Sequence, residues 1–560
     1  METSHPRRLR RAAIWAVSMA SVAATVLGVG AGGTTVSAAS GTANPVVHIQ
    51  GGFVRGAEVA GVDSFLGLPY AAPPTGNLRW RPPQPAPAWS GVRDATTFAP
   101  SCPQTTQRNP ELPPGPLSED CLYLNVLAPA VGDNDQGDHA GRGQIAEAGR
   151  HHDRSGRPVL VWIHGGGLVQ DGARNYDGTK LAADGIVVVT INYRLGALGF
   201  LAHPALAASP GGAAGNYGLM DQQAALRWVQ RNIAHFGGDP QNVTIAGQSA
   251  GGLSVLAQMV SPGARGLFQR AIVQSGTFAL TQRPLATAEA AGESFAQAVG
   301  CSNQTAECLR SVPVSNLVSN FGVEIPGVVD GSVLTQSVGT ALSAGQFARV
   351  PVINGITHDE ELLFVRFVGV TVSQGTFVPL AKPVNSDSAN YQANIAQALG
   401  VSNPQVVAAI AGEYPLSAYP SPVVAFSTLV ADASFACPAL QVDRSTAALV
   451  PTYAYQFNDD QAPAGVVPSG VLPLATHGSE LPYLFDEPNL PFTTLNADQQ
   501  ALAASMRTDW ARFAGTGNPS SDLLPWPSFE GTSVLSLVPL QSQVTTDFAA
   551  AHHCAFWSAV

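Results

Sequence analysis

The middle of the chain alternates short apolar runs with stretches of helical period. Residues 158–163 (PVLVWI) and 186–191 (IVVVTI) are unbroken apolar or β-branched runs. Runs this short and this rich in Val and Ile read as strands buried on both faces. Residues 216–236 switch period: Leu219, Ala225, Leu226, Val229, Ile233 and Phe236 recur at helical spacing. Residues 243–246 return to a strand pattern, and 253–259 to a helix in which Leu253, Leu256, Ala257 and Met259 can share a face. Residues 271–273 and 350–355 add two further strands. Strands alternating with helices predict an α/β fold: a large, mostly parallel central sheet with helices on both faces. In such sheets ligands bind beyond the carboxyl ends of the strands. No internal repeat interrupts the pattern. Residues 131–157 are polar, Gly-rich and without apolar period, so they read as an exposed loop; His151, His152 and Asp153 fall in it and read as solvated rather than metal-binding.

The N-terminus adds a second kind of segment. Arg7, Arg8, Arg10 and Arg11 precede an apolar run over 12–31, and small residues at 36–39 offer a cleavage site. This predicts a secretory signal peptide over 1–39, one large domain over 40–560, and an extracellular protein with no stable membrane partner after cleavage. The competing reading is an uncleaved anchor; against it, the run is built from Ala, Val and Gly and lacks Leu and Phe mass. The arginine pattern is too loose to name a twin-arginine route. No second membrane-spanning candidate stands out. The six cysteines, an even number behind an export signal, predict disulfides, although six allow fifteen pairings. They are scattered and include no C-x-x-C, which argues against metal binding.

With 45% hydrophobic residues, 560 residues suffice for one large core. The formal charge of −11 and the lack of a basic stripe exclude nucleic acid as a partner. Lys180 and Lys382 are the only lysines, which with the abundant Ala, Gly and Pro fits coding bias in a GC-rich genome.

The candidate chemistry lies between the strand at 243–246 and the helix at 253–259. Gly247-Gln248-Ser249-Ala250-Gly251 is a G-x-S-x-G sequence in the strand–turn–helix setting that holds a serine on a strained turn. A serine hydroxyl needs a base, an acid to orient that base, and donors for a developing oxyanion. Residues 163–167 (IHGGG) follow an apolar strand and supply glycines whose amides can approach a substrate. In this fold the order along the chain is serine, acid, histidine. His477, in PLATHGSELPYLF, is the leading base; His358, His552 and His553 are rivals. Asp359, Glu360 and Glu361 are the candidate acids, and spacing does not choose among them.

Seven segments carry a resemblance that does choose: FLGLPYAAPPTGNLRW, SEDCLYLNV, VWIHGGG, INYRLGALGFL, the run from NYGLMDQ to IAGQSAGG, HGSELPYLF and the terminal CAFW. Over 45–560 the chain resembles the type-B carboxylesterases, which include cholinesterases, bile-salt-activated lipases and bacterial esterases. The resemblance implies an α/β-hydrolase fold and a secreted bacterial serine esterase acting on small-molecule carboxylic esters, with no metal or cofactor. It implies Ser249 as nucleophile, Glu360 as acid and His477 as base. Gly166, Gly167 and Ala250 match the oxyanion donors. Cys102 and Cys121, Cys301 and Cys308, and Cys437 and Cys554 match disulfide partners.

Departures from the family are as informative. Glu361 stands where glycine is usual, which implies a different backbone angle in the acid loop. Leu168 replaces an aromatic residue after the glycines. Gln248 precedes the serine where cholinesterases carry Glu. No aromatic residue lies between Cys102 and Cys121, so the ring that would hold a quaternary ammonium is missing, which argues against acetylcholine. Two other functions compete: a lipase or sterol esterase on long acyl chains, and a non-catalytic adhesion relative, which the retained serine, acid, histidine and glycines argue against. Oligomeric state and the natural ester are not encoded in patterns of this kind.

Overall fold

The computed structural model describes residues 44–105, 115–130, 156–207, 215–321, 327–365, 369–373, 376–463, 474–486, 494–521 and 524–560. The signal-like segment 1–39 and residues 131–155 of the polar loop, with His151, His152 and Asp153, lie outside the described residues.

An eleven-stranded sheet organises the chain. In chain order its strands are β1 (Ala57–Val59), β2 (Val62–Pro69), β3 (Tyr123–Pro129), β4 (Arg157–Ile163), β5 (Val187–Ile191), β6 (Gly238–Gln248), β7 (Arg270–Gln274), β8 (Val352–Thr357), β9 (Thr452–Phe457), β10 (Val534–Leu537) and β11 (Gln543–Thr545). Their spatial order is β11-β10-β9-β8-β7-β6-β4-β5-β3-β2-β1. Every pairing from β10 to β5 is parallel; the pairings that add β3, β2 and β1 at one edge and β11 at the other are antiparallel. The predicted parallel sheet is therefore its centre. The antiparallel flanks were not anticipated, because their apolar runs are mixed with polar residues.

Alternate residues of each central strand feed two separate cores. Val159, Val161 and Ile163 of β4 join one apolar cluster with Val255 and Leu256. Leu160 and Trp162 join another with Met506 and Trp510. Helices cover the two faces: α1 (Tyr217–Asn232) and α2 (Ala250–Val260) on the first, and a later helix, Ala497–Thr516, on the second. The predicted helix over 216–236 ends in a 3-10 turn, Ile233–Phe236, closed by Gly237 at φ 80°. Strand β6 runs on to Gln248 and α2 begins at Ala250, so the link expected over residues 247–252 shrinks to Ser249 alone.

One region departs from the sequence reading. Helices α3 (Pro422–Ala431) and α4 (Cys437–Ala447) join through a π-helical turn, Asp432–Ala436. The continuous 26-residue stretch is long and apolar enough to cross a membrane. Its most apolar window is 67% buried inside the molecule, as for a core helix. In the sequence, Asp432 and the prolines at 422 and 438 interrupt its apolar pattern.

The six cysteines pair as Cys102–Cys121, Cys301–Cys308 and Cys437–Cys554. The last closes a separation of 117 residues. In the chain-entropy model such a loop restricts the unfolded state by about 4–5 kcal/mol. Three disulfides indicate an extracellular or secretory-pathway protein.

Candidate active site

Ser249 alone makes the turn from β6 into α2. Its φ of 57° and ψ of −127° fall where a non-glycine residue is strained by about 1–3 kcal/mol unless its surroundings enforce it. They do so from both sides. The Ser249 amide donates to the Gln274 carbonyl at 2.8 Å, and the Ser249 carbonyl accepts from Leu253 N at 2.9 Å. Gly251 lets helix and strand close up: a Cβ there would lie 2.0 Å from the Ile163 carbonyl oxygen. The half-buried Ser249 side chain stands at the carboxyl end of the sheet, where the strand pattern predicts a site.

The glycine loop follows β4. Gly166, Gly167 and Leu168 take φ of 81°, 62° and 59° in succession. A Cβ on Gly166 would meet the Gln170 carbonyl oxygen at 2.2 Å, so only glycine fits. Tyr193 donates its hydroxyl to His164 O at 2.8 Å and stacks on the buried His164 ring, whose pKa is lowered by burial. Among the described residues, the amides of Gly166, Gly167 and Ala250 donate no backbone hydrogen bond. Ala250 opens α2, where first-turn amides have no intrahelical partner. The loop borders the serine closely, since a Cβ on Gly165 would lie 3.1 Å from Ser249 Cβ.

The candidate acid and base arrive on two loops joined by an isolated bridge. Asp359 pairs with Thr476, and Asp359 N donates to Ala475 O at 2.8 Å. The next residues along are Glu360 and His477. Glu360 Oε2 lies 2.5 Å from His477 Nδ1, and Oε1 accepts from Thr357 N at 2.9 Å. Glu360 is fully buried and the His477 side chain is 7% exposed. The Phe364 and Phe435 rings pack on His477 at centroid distances of 5.1 and 5.5 Å.

The rival groups are engaged elsewhere. Asp359 pairs with His358 at 3.2 Å, His552 with Asp432 at 2.5 Å, and His553 with Glu413 at 2.6 Å. Glu361 is not among the residues at positive φ; it is fully buried and reaches the hairpin Val370–Ser373/Thr376–Pro379. There Val372 N donates to Glu361 Oε1 at 3.0 Å and the Thr371 hydroxyl donates to Oε2 at 3.0 Å. Burial pushes the Glu361 carboxyl well above the usual carboxylate range.

In one link the geometry differs from the expected chain of hydroxyl, imidazole and carboxylate. The partner of His477 Nε2 among the described residues is Gln248 Nε2, at 3.3 Å, rather than Ser249 Oγ. The longer side chain one residue earlier reaches the ring first. Glu480 is the residue sequence reasoning passed over, although it lies inside the quoted HGSELPYLF. It is fully buried, and Gln274 Nε2 donates to its Oε1 at 3.2 Å. Burial and the Glu360 charge push its carboxyl up to about 7. Among the described residues no cluster of His, Cys, Asp or Glu could hold a metal ion.

A strained serine at a strand–helix turn, a glycine loop bordering it and a buried Glu–His pair linked to the residue before it are the arrangement expected of a serine hydrolase on an α/β-hydrolase fold. The model of the Carboxylesterase family matches residues 43–557. Pyrethroid hydrolase Ces2e of Rattus norvegicus is 36% identical over 524 residues, covering 87% of this chain and 85% of that protein. Cocaine esterase of Homo sapiens is 36% identical over 529 residues, covering 90% and 88%. The solved structure of PNB esterase superposes with a TM-score of 0.72 at 29% identity, covering 91% of this chain and 99% of its own. The chain belongs to the Carboxylesterase family and is a carboxylic ester hydrolase.

Proposed function

We propose that Ser249 is the nucleophile, His477 its general base and Glu360 the acid that orients His477, with the oxyanion held by the amides of Gly166, Gly167 and Ala250. As the hydroxyl oxygen attacks the ester carbonyl, its proton passes to His477 Nε2 and the carbonyl π pair becomes the oxyanion. Glu360 stabilises the imidazolium without taking the proton itself. Collapse expels the alcohol with the proton from His477, leaving an acyl group on Ser249. Water repeats the sequence and frees the carboxylic acid and the serine. The substrates are small-molecule carboxylic esters, and no step calls for a metal or cofactor.

The observation that carries this reading is the 2.5 Å Glu360–His477 pair set against a serine turn at φ 57°. Ser249→Ala is expected to lower turnover of a short p-nitrophenyl ester by roughly 10⁴-fold or more. A fluorophosphonate probe should label the wild type at Ser249 and leave the variant unlabelled. A folded variant with near-normal turnover would refute the assignment. The relatives named pyrethroid hydrolase and cocaine esterase support a small-molecule ester as substrate, and a panel graded by acyl and alcohol size tests this against a lipase or sterol esterase on long-chain esters. We also infer that the protein is a secreted bacterial enzyme that loses residues 1–39. The arginines before the apolar run and the three disulfides support this, and the N-terminal sequence of the exported protein tests it.

A further inference from the structure

Gln248, 4% exposed at the end of β6, spans two loops of the site. Its amide nitrogen lies 3.3 Å from His477 Nε2. Its amide oxygen faces the glycine loop, 3.4 Å from where a Cβ of Gly165 would stand. His477 Nδ1 is already committed to Glu360. With the ring proton on Nδ1, Nε2 presents a lone pair, and an amide N–H can donate into it. A carboxylate at this position could not, because it only accepts, and only from a protonated ring.

We propose that Gln248 is a positioning residue that holds neutral His477 in its basic tautomer and thereby sets the pH at which the esterase becomes active. The inference deepens the reading above and rests on Ser249, His477 and Glu360 being the reacting set. When substrate binds, the Gln248 N–H···Nε2 contact gives way to the Ser249 hydroxyl. The Oγ–H bond then breaks as the Nε2–H and Oγ–carbon bonds form, and the carbonyl π pair moves to oxygen. The ring is now a donor at both nitrogens, and its Nε2–H returns the proton to the leaving oxygen. The Gln248 N–H can therefore bond only the neutral ring. Among the described residues, the titratable groups that act on His477 are Glu360 on the acid loop and Glu480 on its own loop, while Glu361 acts on Glu360, and the Tyr455 hydroxyl from β9 faces Glu360 and Glu480. The serine turn brings no charge to the ring, and Phe364 and Phe435 bring only aromatic faces.

The test is the pH profile of kcat/KM for a short p-nitrophenyl ester in the wild type, Gln248→Glu and Gln248→Met. A carboxylate beside the ring favours its cation, so the neutral base appears only at higher pH. The acid limb of Gln248→Glu should therefore move up by about one unit or more, about a tenfold loss of kcat/KM below the limb. Gln248→Met keeps the length without donor or charge, and its limb should move up by about half a unit. Fluorophosphonate titration counts reactive sites, so each limb is read per folded active site. The low-field imidazole proton, followed by NMR in a Ser249→Ala background, reports the same order without turnover. Coincident limbs and titrations in proteins that label normally overturn the proposal and leave the nucleophile assignment standing. An active Ser249→Ala overturns that assignment instead. A fall in kcat at every pH with an unmoved limb marks a structural Gln248 and also overturns the proposal.

Discussion

The turn that carries Ser249 is built from backbone, whereas the loops that carry Glu360 and His477 are held together largely by their side chains. On the serine side, β6 lies between β4 and β7, in unbroken register from Val159 onward, with Ile163 opposite Gly247 and Gln274 opposite Gln248. No side chain has to bond for the turn to form; two glycines have only to be bare. On the acid–base side one bridge, Asp359 to Thr476, stands in for a ladder. Backbone turns such as Leu362 N to Asp359 O and Ser479 N to Thr476 O shape each loop, and polar side-chain contacts tie them in: Glu360 to Thr357 N, Glu361 to the hairpin, Glu480 to Gln274. The first region is robust to polar substitution and intolerant of added volume. The second should behave in the opposite way.

The sharpest way to break this contrast is at Glu360. Glu360→Gln keeps the volume and loses the charge, so it should lower kcat by roughly 10³–10⁴-fold, as weakened orientation of a triad histidine does. Its melting temperature should stay close to that of the wild type. Glu361→Gln, one residue on, should stay within about threefold in kcat, because a buried carboxyl pushed toward its neutral form is well replaced by an amide. If the two variants exchanged places, the acid would be Glu361.

Next in size is Gly251→Ala. The added methyl would stand 2.0 Å from Ile163 O, so α2 or β4 must shift. A displacement near 1 Å at the nucleophile costs about 10²-fold in rate, and here the melting temperature should fall with it. A Gly251→Ala protein as stable and active as the wild type would show that the turn is not backbone-limited.

The same contrast explains what the sequence could reveal. The serine turn was legible because its determinants are adjacent: an apolar run, two glycines and a helical period within seventeen residues, 243–259. Five of the parallel strands, β4 to β8, were legible for the same reason; β9 and β10, where Thr, Tyr, Gln and Ser are mixed with the apolar residues, were not. The choice among Asp359, Glu360 and Glu361 was not, since all three are acidic and consecutive. What sets Glu360 apart from its neighbours is a contact with His477, 117 residues away in the chain, and only the family resemblance pointed to that pair in advance. The Gln248–His477 contact spans 229 residues and has no local signature. Glu480 was in view but unread, because a carboxylate on a loop reads as solvated until burial is known. The flanking strands β1, β2, β3 and β11 were missed because edge strands need less apolar sequence than central ones.

A smaller effect is expected at the hairpin. Glu361→Gly, the family's usual residue, removes both tethers to Thr371 and Val372. The neighbouring segment carries Phe364, which packs on the base. We expect a loss of about tenfold in kcat/KM, from imperfect positioning rather than lost chemistry. Glu361→Gln should restore it by offering an acceptor to Val372 N. Equal activities in the Gly and Gln variants would remove Glu361 from the account.

The smallest effect separates carboxyls that serve the site from those that serve only the fold. Burial raises Glu480 from 4.5 to about 7 and Asp443 from 3.8 to about 8. Asp443 lies under β8, accepting from Asn354 Nδ2 at 2.9 Å. In both cases the folded protein binds a proton that the unfolded chain has already released between those two values. The stabilisation is therefore complete below the unfolded value and is lost as pH rises through about 7 and 8. Their contribution to the melting temperature should fall steadily from about pH 4 to about pH 8, by roughly 1 °C for each kcal/mol lost in a chain of this length. Asp443→Asn and Glu480→Gln should each flatten part of that decline. Only Glu480→Gln should also change the pH profile of kcat/KM, because Glu480 shares its surroundings with Glu360 and His477. If Asp443→Asn moved the rate profile as well, the polar contacts of the acid–base loops would extend through β8 into the core. The boundary between a site held by side chains and a scaffold held by backbone would then lie deeper than the contacts around His477 place it.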